Sequence, residues 1–352
     1  MSAFEKIKDE VAKSRRTWLV TGSAGFIGSH LVETLLGLGQ RVVGLDDFST
    51  GRRENLREVE GSVGADAWRR HRFIEGSIVH LDTCRDACRG VDIVLHQAAL
   101  GSVPRSIADP LATHAANVTG FLNMLVAARE AGVRRFVYAS SSSVYGDHEA
   151  LPKVEGVVGR PLSPYAASKC ADELYADAFG CCYALQIIGL RYFNVFGARQ
   201  DPQGPYAAVI PRWVRAMLLG NSVEIYGDGQ TTRDFCYVAN AVQANLLAAL
   251  TDDPQVLNRV YNVAVGEQTS LQQLFDILRS LVGADRPTRR VTDPLHRPFR
   301  EGDVRHSLAD IAAARRLLGY EPTHTLAEGL REALPWYLNQ FGTVNERTAE
   351  VR

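Results

Sequence analysis

The 352-residue chain predicts an α/β fold built on a doubly wound parallel sheet, and two observations carry that prediction. Short β-branched runs alternate with apolar-periodic stretches through the first half, and the strand-like runs are apolar almost without interruption. Parallel strands read this way because both faces are covered by the helices of their right-handed crossovers. The runs lie at 17–22 (TWLVTG), 40–46 (QRVVGLD), 71–77 (HRFIEGS), 91–97 (VDIVLHQ), 135–140 (RFVYAS) and 184–191 (ALQIIGLR), with helical periodicity at 27–39 and 117–132. After residue 196 the texture changes to Gly, Pro and Gln. The expected division is a nucleotide-binding unit at 1–196, with a returning segment at about 234–265 whose run 260–264 (VYNVA) rejoins the sheet. Residues 197–233 and 266–341 would form a smaller mixed α/β unit over the strand ends, and 342–352 a frayed tail.

Composition narrows the function classes. Hydrophobic residues at 46% and charged residues at 22% are those of a globular chain that buries a core. Thirty-nine Lys plus Arg against 40 Asp plus Glu leave a net charge of -1, so no global field attracts nucleic acid or an anionic membrane. No apolar run approaches the roughly 18 residues a membrane span needs, and the charged, helical start is unlike a secretion leader. A cytoplasmic protein is expected. The six cysteines, Cys84, Cys88, Cys170, Cys181, Cys182 and Cys236, contain no C-x-x-C pair, so buried reduced thiols are expected and no metal site.

Gly22, Gly25 and Gly28 stand in G-x-x-G-x-x-G spacing directly after a strand and at the opening of a helix. In that context they fit the Rossmann phosphate-binding turn. Gly22 takes the tight turn, Gly25 lets backbone approach a pyrophosphate at the helix N-terminus, and Gly28 lets helix and strand pack closely. Without a ligand the same triplet is an ordinary βα turn. The next strand ends in Asp46 and Asp47, where a carboxylate accepts from an adenosine ribose and repels a 2′-phosphate, favouring NAD over NADP.

Tyr165 and Lys169, four apart, project from one face of a predicted helix. An ammonium beside a phenol favours the phenolate, which makes Tyr165 a candidate general base. The serine cluster 140–143 falls at the C-terminal end of the strand 135–140, the edge on which doubly wound enzymes place their chemistry. There a hydroxyl can hydrogen-bond a substrate oxygen, or merely cap the following turn.

The ordered motifs TGSAGFIG (21–28), LDD (45–47), HQAA (96–99), SSSSVYG (140–146), YAASK (165–169) and RYFNVFG (191–197) resemble the extended short-chain dehydrogenase/reductases, and within them the UDP-hexose 4-epimerases. The resemblance runs from about residue 17 to 340. It implies that Tyr165 is the base, that Lys169 holds the nicotinamide ribose, that Ser141 hydrogen-bonds the sugar O4, and that Ser143 also contacts the reacting sugar. It implies cofactor contacts at Phe26, Ile27, Ser77, Ile78, Gln97, Ala98, Ala99 and Tyr192, with Asn117 fixing nearby backbone. Ser77 stands where the family usually carries an Asp that contacts adenine. His96 is either a cofactor neighbour or a strand-end His satisfied by backbone. For the sugar nucleotide it implies Gly101, Ser102, Ser142, Asn194, Gln200, Ala208, Val209, Trp213, Tyr226, Arg233, Arg300, Asp303 and Ser307.

Related dehydratases and decarboxylases carry acidic residues after the serine-bearing strand, where this chain has Ser142 and Ser143. A hydroxyl cannot replace a carboxylic acid in an elimination, so epimerisation is favoured. In the epimerases a Tyr shortly after Arg-x-Gly-Asp accompanies restriction to non-acetylated hexoses. The resemblance aligns Ser307 there, and Gly101 where hexose-specific relatives carry Lys, which implies UDP-N-acetylglucosamine and UDP-N-acetylgalactosamine as substrates. UDP-glucose, UDP-galactose and the uronic acids are the alternatives. A homodimer through helices at 104–131 and 164–180 is also implied. A non-catalytic NAD-binding scaffold is the competing class, but it would have no need of Ser141, Tyr165 and Lys169 together.

Overall fold

The computed structural model describes residues 2–201, 208–285, 291–299 and 304–342. Seven parallel strands make the central sheet: β1 (Thr17–Thr21), β2 (Arg41–Asp46), β3 (His71–Glu75), β4 (Ile93–His96), β5 (Arg135–Ser141), β6 (Gln186–Tyr192) and β7 (Arg259–Val263). Their order is β7-β6-β5-β4-β1-β2-β3. The order reverses between β1 and β4, where crossovers depart to opposite sides and leave a crevice at the strand ends.

Alternate residues of β1 feed the two faces. Trp18 and Val20 join one apolar cluster, with Leu31, Leu35, Ile188 and Leu247, while Leu19 joins the other, with Phe121, Met124 and Phe136. A third cluster, including Trp213, Met217, Phe275, Leu278, Tyr337 and Phe341, underlies the smaller layer. That layer carries the helices Val209–Leu219, Leu271–Asp285 and Leu326–Gly342 and short paired strands, Glu224–Tyr226 with Leu295–Arg297 and Thr232–Arg233 with Thr269–Ser270.

Several details depart from the sequence reading. Residues 309–320, assigned to the smaller unit, pack instead into the first cluster through Ala309, Ile311, Ala314, Leu318 and Tyr320. Buried Asp234 accepts from the backbone N–H groups of Val265 (3.0 Å), Gly266 (3.1 Å) and Ala309 (3.2 Å), which pins this return. The helix expected over 104–131 breaks at Pro110, which lacks an N–H and bars Asp109 from helical backbone (φ -140). Asp109 caps the next turn instead, a π-helical turn follows at Ala115–Thr119, and the α-helix resumes at Gly120–Glu130. Gly342 closes the last helix, and 343–352 lie outside the described residues. Cys181 and Cys182 are exposed, against the expectation of burial, while Cys84, Cys88 and Cys236 are buried. No described helix is long and apolar enough to cross a membrane, and no metal-binding group of side chains occurs among the described residues.

At the crevice floor, Thr21 Oγ1 accepts from the backbone N–H groups of Gln97 and Ala98, both at 3.1 Å. Its proton is therefore directed to His96 Nδ1, 2.9 Å away. His96 stacks on Phe136 and is 2% exposed. Burial first, and the Lys169 charge second, push its pKa down to about 3 from 6.5. The unfolded chain binds the proton more tightly, so this contribution is present above pH 6.5 and is lost as pH falls toward 3. His96→Asn, whose Oδ1 can take the place of Nδ1, should remove it. Urea titrations should show the parent losing about 2 kcal/mol more than the variant between pH 7 and 5.

Candidate active site

The glycine turn is held open by backbone contact. Gly22 has φ +65, and a Cβ there would stand 2.9 Å from Ala98 N; a Cβ at Gly25 would be 3.0 Å, and at Gly28 2.0 Å, from Gly22 O. The helix Phe26–Gly37 therefore starts against the end of β1 with its first N–H groups facing the crevice, a cradle for a diphosphate. Asp46 closes the second side. Its Oδ1 accepts from Phe48 N (2.8 Å) and its Oδ2 from Ala24 N (2.9 Å), while burial raises its pKa. Asp47 is held below the ordinary carboxylate range: burial works upward, and hydrogen bonds from Ser49 and Ser77 outweigh it.

These residues border one cavity of about 430 Å³ that runs along the strand ends. Gly22, Gly25, Phe26, Ile27, Gly28, Asp46, Asp47, Ser77, Ile78, Gln97, Ala98, Ala99 and Tyr192 line it, as do Gly101, Ser141, Tyr165 and Lys169. Tyr192 Oη accepts from Asn245 and donates to Gln97 Oε1, and Gln97 Nε2 donates to Asn245 Oδ1, a closed triangle beneath the cavity. Asn117 does not reach the cavity. Its Oδ1 accepts from Leu100 N (2.8 Å) and its Nδ2 donates to Ser168 Oγ (2.9 Å), so it fixes the loop beside the cavity. His96 is likewise behind the wall, tied to Thr21.

Tyr165 is half-buried in the first turns of the helix Pro164–Tyr183, whose start is capped by Ser163. Lys169, one turn on, donates to Ala139 O and to Asp172 Oδ2, each at 3.0 Å. Burial pulls its pKa down, and Asp172 and Tyr165 outweigh that, leaving a net rise that keeps the ammonium charged.

The four serines separate by role. Ser140 donates to Glu173 Oε1 (2.5 Å) and Ser141 Oγ accepts from Ser143 N (3.2 Å). Ser142 and Ser143, expected at the sugar, enter a 3₁₀ turn and line neither of the two cavities at the strand ends, and Ser143 Oγ is buried with no hydrogen-bond partner. Ser102 is also a capping residue, accepting from Arg105 N (3.3 Å) ahead of Val103–Ala108, and is not among the residues that line this cavity.

A second cavity of about 430 Å³ adjoins the first, sharing Asn194, Val195 and Gln200. Ala208, Val209, Trp213, Tyr226 and Arg233 line it, together with Arg212, Phe299 and Arg305, which the sequence reading did not single out. Arg305 stands five residues past Arg300 in the same charged run, the one signal that pointed toward it. Gln200 is steadied by its neighbour: the buried Arg199 pairs with Glu33 of the Phe26–Gly37 helix and with Glu58 (3.7 Å). Ser307 is 9% exposed and borders neither cavity. Arg300 and Asp303 lie outside the described residues.

A glycine-turn dinucleotide cradle beside a Ser, Tyr and Lys triplet defines a nucleotide-dependent short-chain oxidoreductase fold turned to a second, adjoining substrate space. Residues 18–264 match the NAD dependent epimerase/dehydratase family, and the chain belongs to it. It is 40% identical over 324 residues to the UDP-glucose 4-epimerase of Mycolicibacterium smegmatis, covering 92% of this chain and 98% of that protein. It is similar to the UDP-N-acetylglucosamine 4-epimerase structure from Methanobrevibacter ruminantium in complex with UDP-N-acetylmuramic acid, at TM-score 0.84 and 37% identity over 93% of this chain and 99% of that one. It is also similar to the Thermus thermophilus UDP-glucose 4-epimerase complex with NAD, at TM-score 0.78 and 33% identity over 91% and 98% of the two chains. The protein is therefore an enzyme of the epimerase kind, an isomerase, with NAD as its cofactor.

The glycine contacts make a testable contrast. Gly28→Ala puts a methyl against the Gly22 carbonyl and should weaken NAD binding at least about tenfold, because backbone rather than a side chain must move. Gly37→Ala, at the far end of the same helix and away from the cavity, meets nothing within 4 Å and should leave NAD affinity unchanged in a fluorescence titration.

Proposed function

We propose that the protein is an NAD-retaining 4-epimerase that interconverts UDP-N-acetylglucosamine and UDP-N-acetylgalactosamine. The observation that carries the reading is the meeting of Ser141, Tyr165 and Lys169 on the wall of a cofactor cavity that opens into a second, arginine-bearing one. NAD, when bound, supplies the acceptor and then the donor of the C4 hydrogen, so that the sugar passes through a 4-keto form.

Tyr165 takes the O4 proton and returns it, and Ser141 donates a hydrogen bond to O4. Lys169 is the fixed charge beside Tyr165 and holds the nicotinamide ribose. Gly22, Gly25 and Gly28 carry the diphosphate of the cofactor, and Asp46 and Asp47 stand at its adenosine ribose. Arg212, Arg233 and Arg305 in the second cavity offer planar forks for the diphosphate of UDP. Trp213 and the backbone at Ala208 and Val209 stand where the resemblance sets the uracil. With the nucleotide end held there, the sugar stays in the site while it presents its other face.

The acetamido preference is supported by Gly101, which lines the first cavity and beside which a side chain would find open space. A preference for UDP-glucose and UDP-galactose is the second reading, favoured by the name of the Mycolicibacterium smegmatis relative. A homodimer is part of the proposal: Ile107, Leu111 and Leu174 are 64%, 82% and 71% exposed on the helices expected to pair.

Initial rates on the N-acetylated and non-acetylated pairs of UDP-sugars test the assignment. The N-acetylated pair should be the faster, and Tyr165→Phe should slow it by about two to four orders of magnitude while UDP binding survives. Faster turnover of UDP-glucose would move the assignment to the second reading. Near-normal turnover in Tyr165→Phe would remove the base.

A further inference from the structure

The helix Pro164–Tyr183 carries two adjacent carboxylates one turn past Lys169, and they are used differently. Glu173 is fully engaged: it accepts from Arg191 Nε (2.9 Å) and Nη2 (2.7 Å) and from Ser140 Oγ. Asp172 has a single partner, Lys169 Nζ at 3.0 Å through Oδ2, and its Oδ1 is buried without any. Asp172 is 1% exposed and Lys169 3%. A carboxylate kept only for stability at such a depth would have both oxygens satisfied, as Glu173 does, because a bare buried oxygen costs folding free energy. The one partner of Asp172 is the side chain that borders the cofactor cavity beside Tyr165.

Geometry says what this contact does. Ala139 O and Asp172 Oδ2 take two of the three ammonium protons, which fixes Nζ and leaves one proton to aim into the cavity. A carboxylate at 3.0 Å also turns an isolated positive charge into a dipole, whose field falls off faster with distance. We propose that Asp172 is a positioning residue for the reaction, holding Lys169 Nζ in place and screening from Tyr165 part of the ammonium charge.

The proposal rests on Tyr165 as the base of the proposed epimerisation. The titratable and charged groups around the pair are Tyr165, Cys170 and Glu173 of the same helix, His96 of β4, Tyr138 of β5 and Arg191 of β6, with Asp177 acting on Tyr138. Lys169 and Glu173 are the charges that act on Asp172; Arg105, His114 and Arg129, on the helices packed against this one, are not among them. His96 is neutral across the working range, since its pKa is pushed down to about 3 by burial and by Lys169. Burial and the neighbouring carboxylates raise Tyr138 far out of that range. Neither group can imitate the effect of removing Asp172, and the Cys170 thiol, which burial and the Glu173 and Asp172 carboxylates raise, carries no phenolate absorbance.

Asp172→Asn keeps an acceptor of the same size for Nζ and deletes the charge. In the NAD-loaded enzyme, both limbs of the kcat profile should then move to lower pH by about one unit: Tyr165 feels the full ammonium, and Lys169 loses its counter-charge. Asp172→Glu, which returns the carboxylate, should bring both limbs back even where kcat is reduced. A second readout does not need turnover. The tyrosinate absorbance that disappears in Tyr165→Phe should titrate at lower pH when Asp172→Asn is added.

A purely structural Asp172 would lower the height of the profile and leave its limbs in place, and that outcome, or equal displacement in the Asn and Glu variants, overturns the proposal. Should Asp172→Asn fold poorly, Asp172→Ser supplies the same charge deletion for the absorbance titration. Turnover surviving in Tyr165→Phe would instead strike the base assignment, and the absorbance titration would still decide whether Asp172 screens Lys169.

Discussion

The structure depends on the place where the sheet changes direction. Because β2 and β4 flank β1, the connections leaving β1 and β4 pass to opposite faces, and nothing covers the strand ends between them. Strand ends deliver one wall of the site to that gap, Gly22 by β1, Asp46 by β2, Ala98 by β4, Ser141 by β5 and Tyr192 by β6, and the helix Pro164–Tyr183 brings Tyr165 and Lys169 to it. The gap stays narrow because Gly22, Gly25 and Gly28 have no side chains to force its walls apart. Thr21 then ties the β1 end to β4 through His96 and the amides of Gln97 and Ala98.

Charge is placed as deliberately as shape. Lys169 and Asp172, Arg191 and Glu173, and Arg199 and Glu33 are all paired at or near burial, as charges removed from water must be. The first pair touches the first cavity, the second ties the helix Pro164–Tyr183 to β6, and the third anchors the loop bearing Gln200 between the two cavities. The arginines of the second cavity are more accessible, Arg305 at 55% and Arg212 and Arg233 half-buried, which suits the proposed meeting with an anionic nucleotide from solvent.

Strands, the glycine turn and the Tyr165–Lys169 pair were legible in the amino-acid order because local rules govern them: near-continuous burial, positive φ or close backbone approach, and helical spacing. What escaped depends on contacts distant in sequence. Val238–Leu250 is buried on nearly every side, yet Asn240, Gln243 and Asn245 interrupt its apolar pattern; their partners, among them Thr323, Glu321 and Tyr192, belong to other layers. Arg212, Phe299 and Arg305 meet around one cavity although up to 93 residues separate them, a convergence that no short motif records. Ser102 caps the turn Val103–Ala108 and Ser143 Oγ is buried, contacts that residue type alone does not record. The break at Pro110 was readable from its missing N–H, and the apolar periodicity on either side masked it.

The central claim is that the C4 hydrogen leaves and returns within one closed site, with Tyr165 handling only the O4 proton. The most direct test is to run the interconversion to equilibrium in deuterated water with the NAD-loaded enzyme and to measure the isotope at C4 of the product by NMR. The account predicts protium at C4 in both epimers. Deuterium at C4 would mean that the hydrogen exchanges with solvent during turnover, and would contradict it.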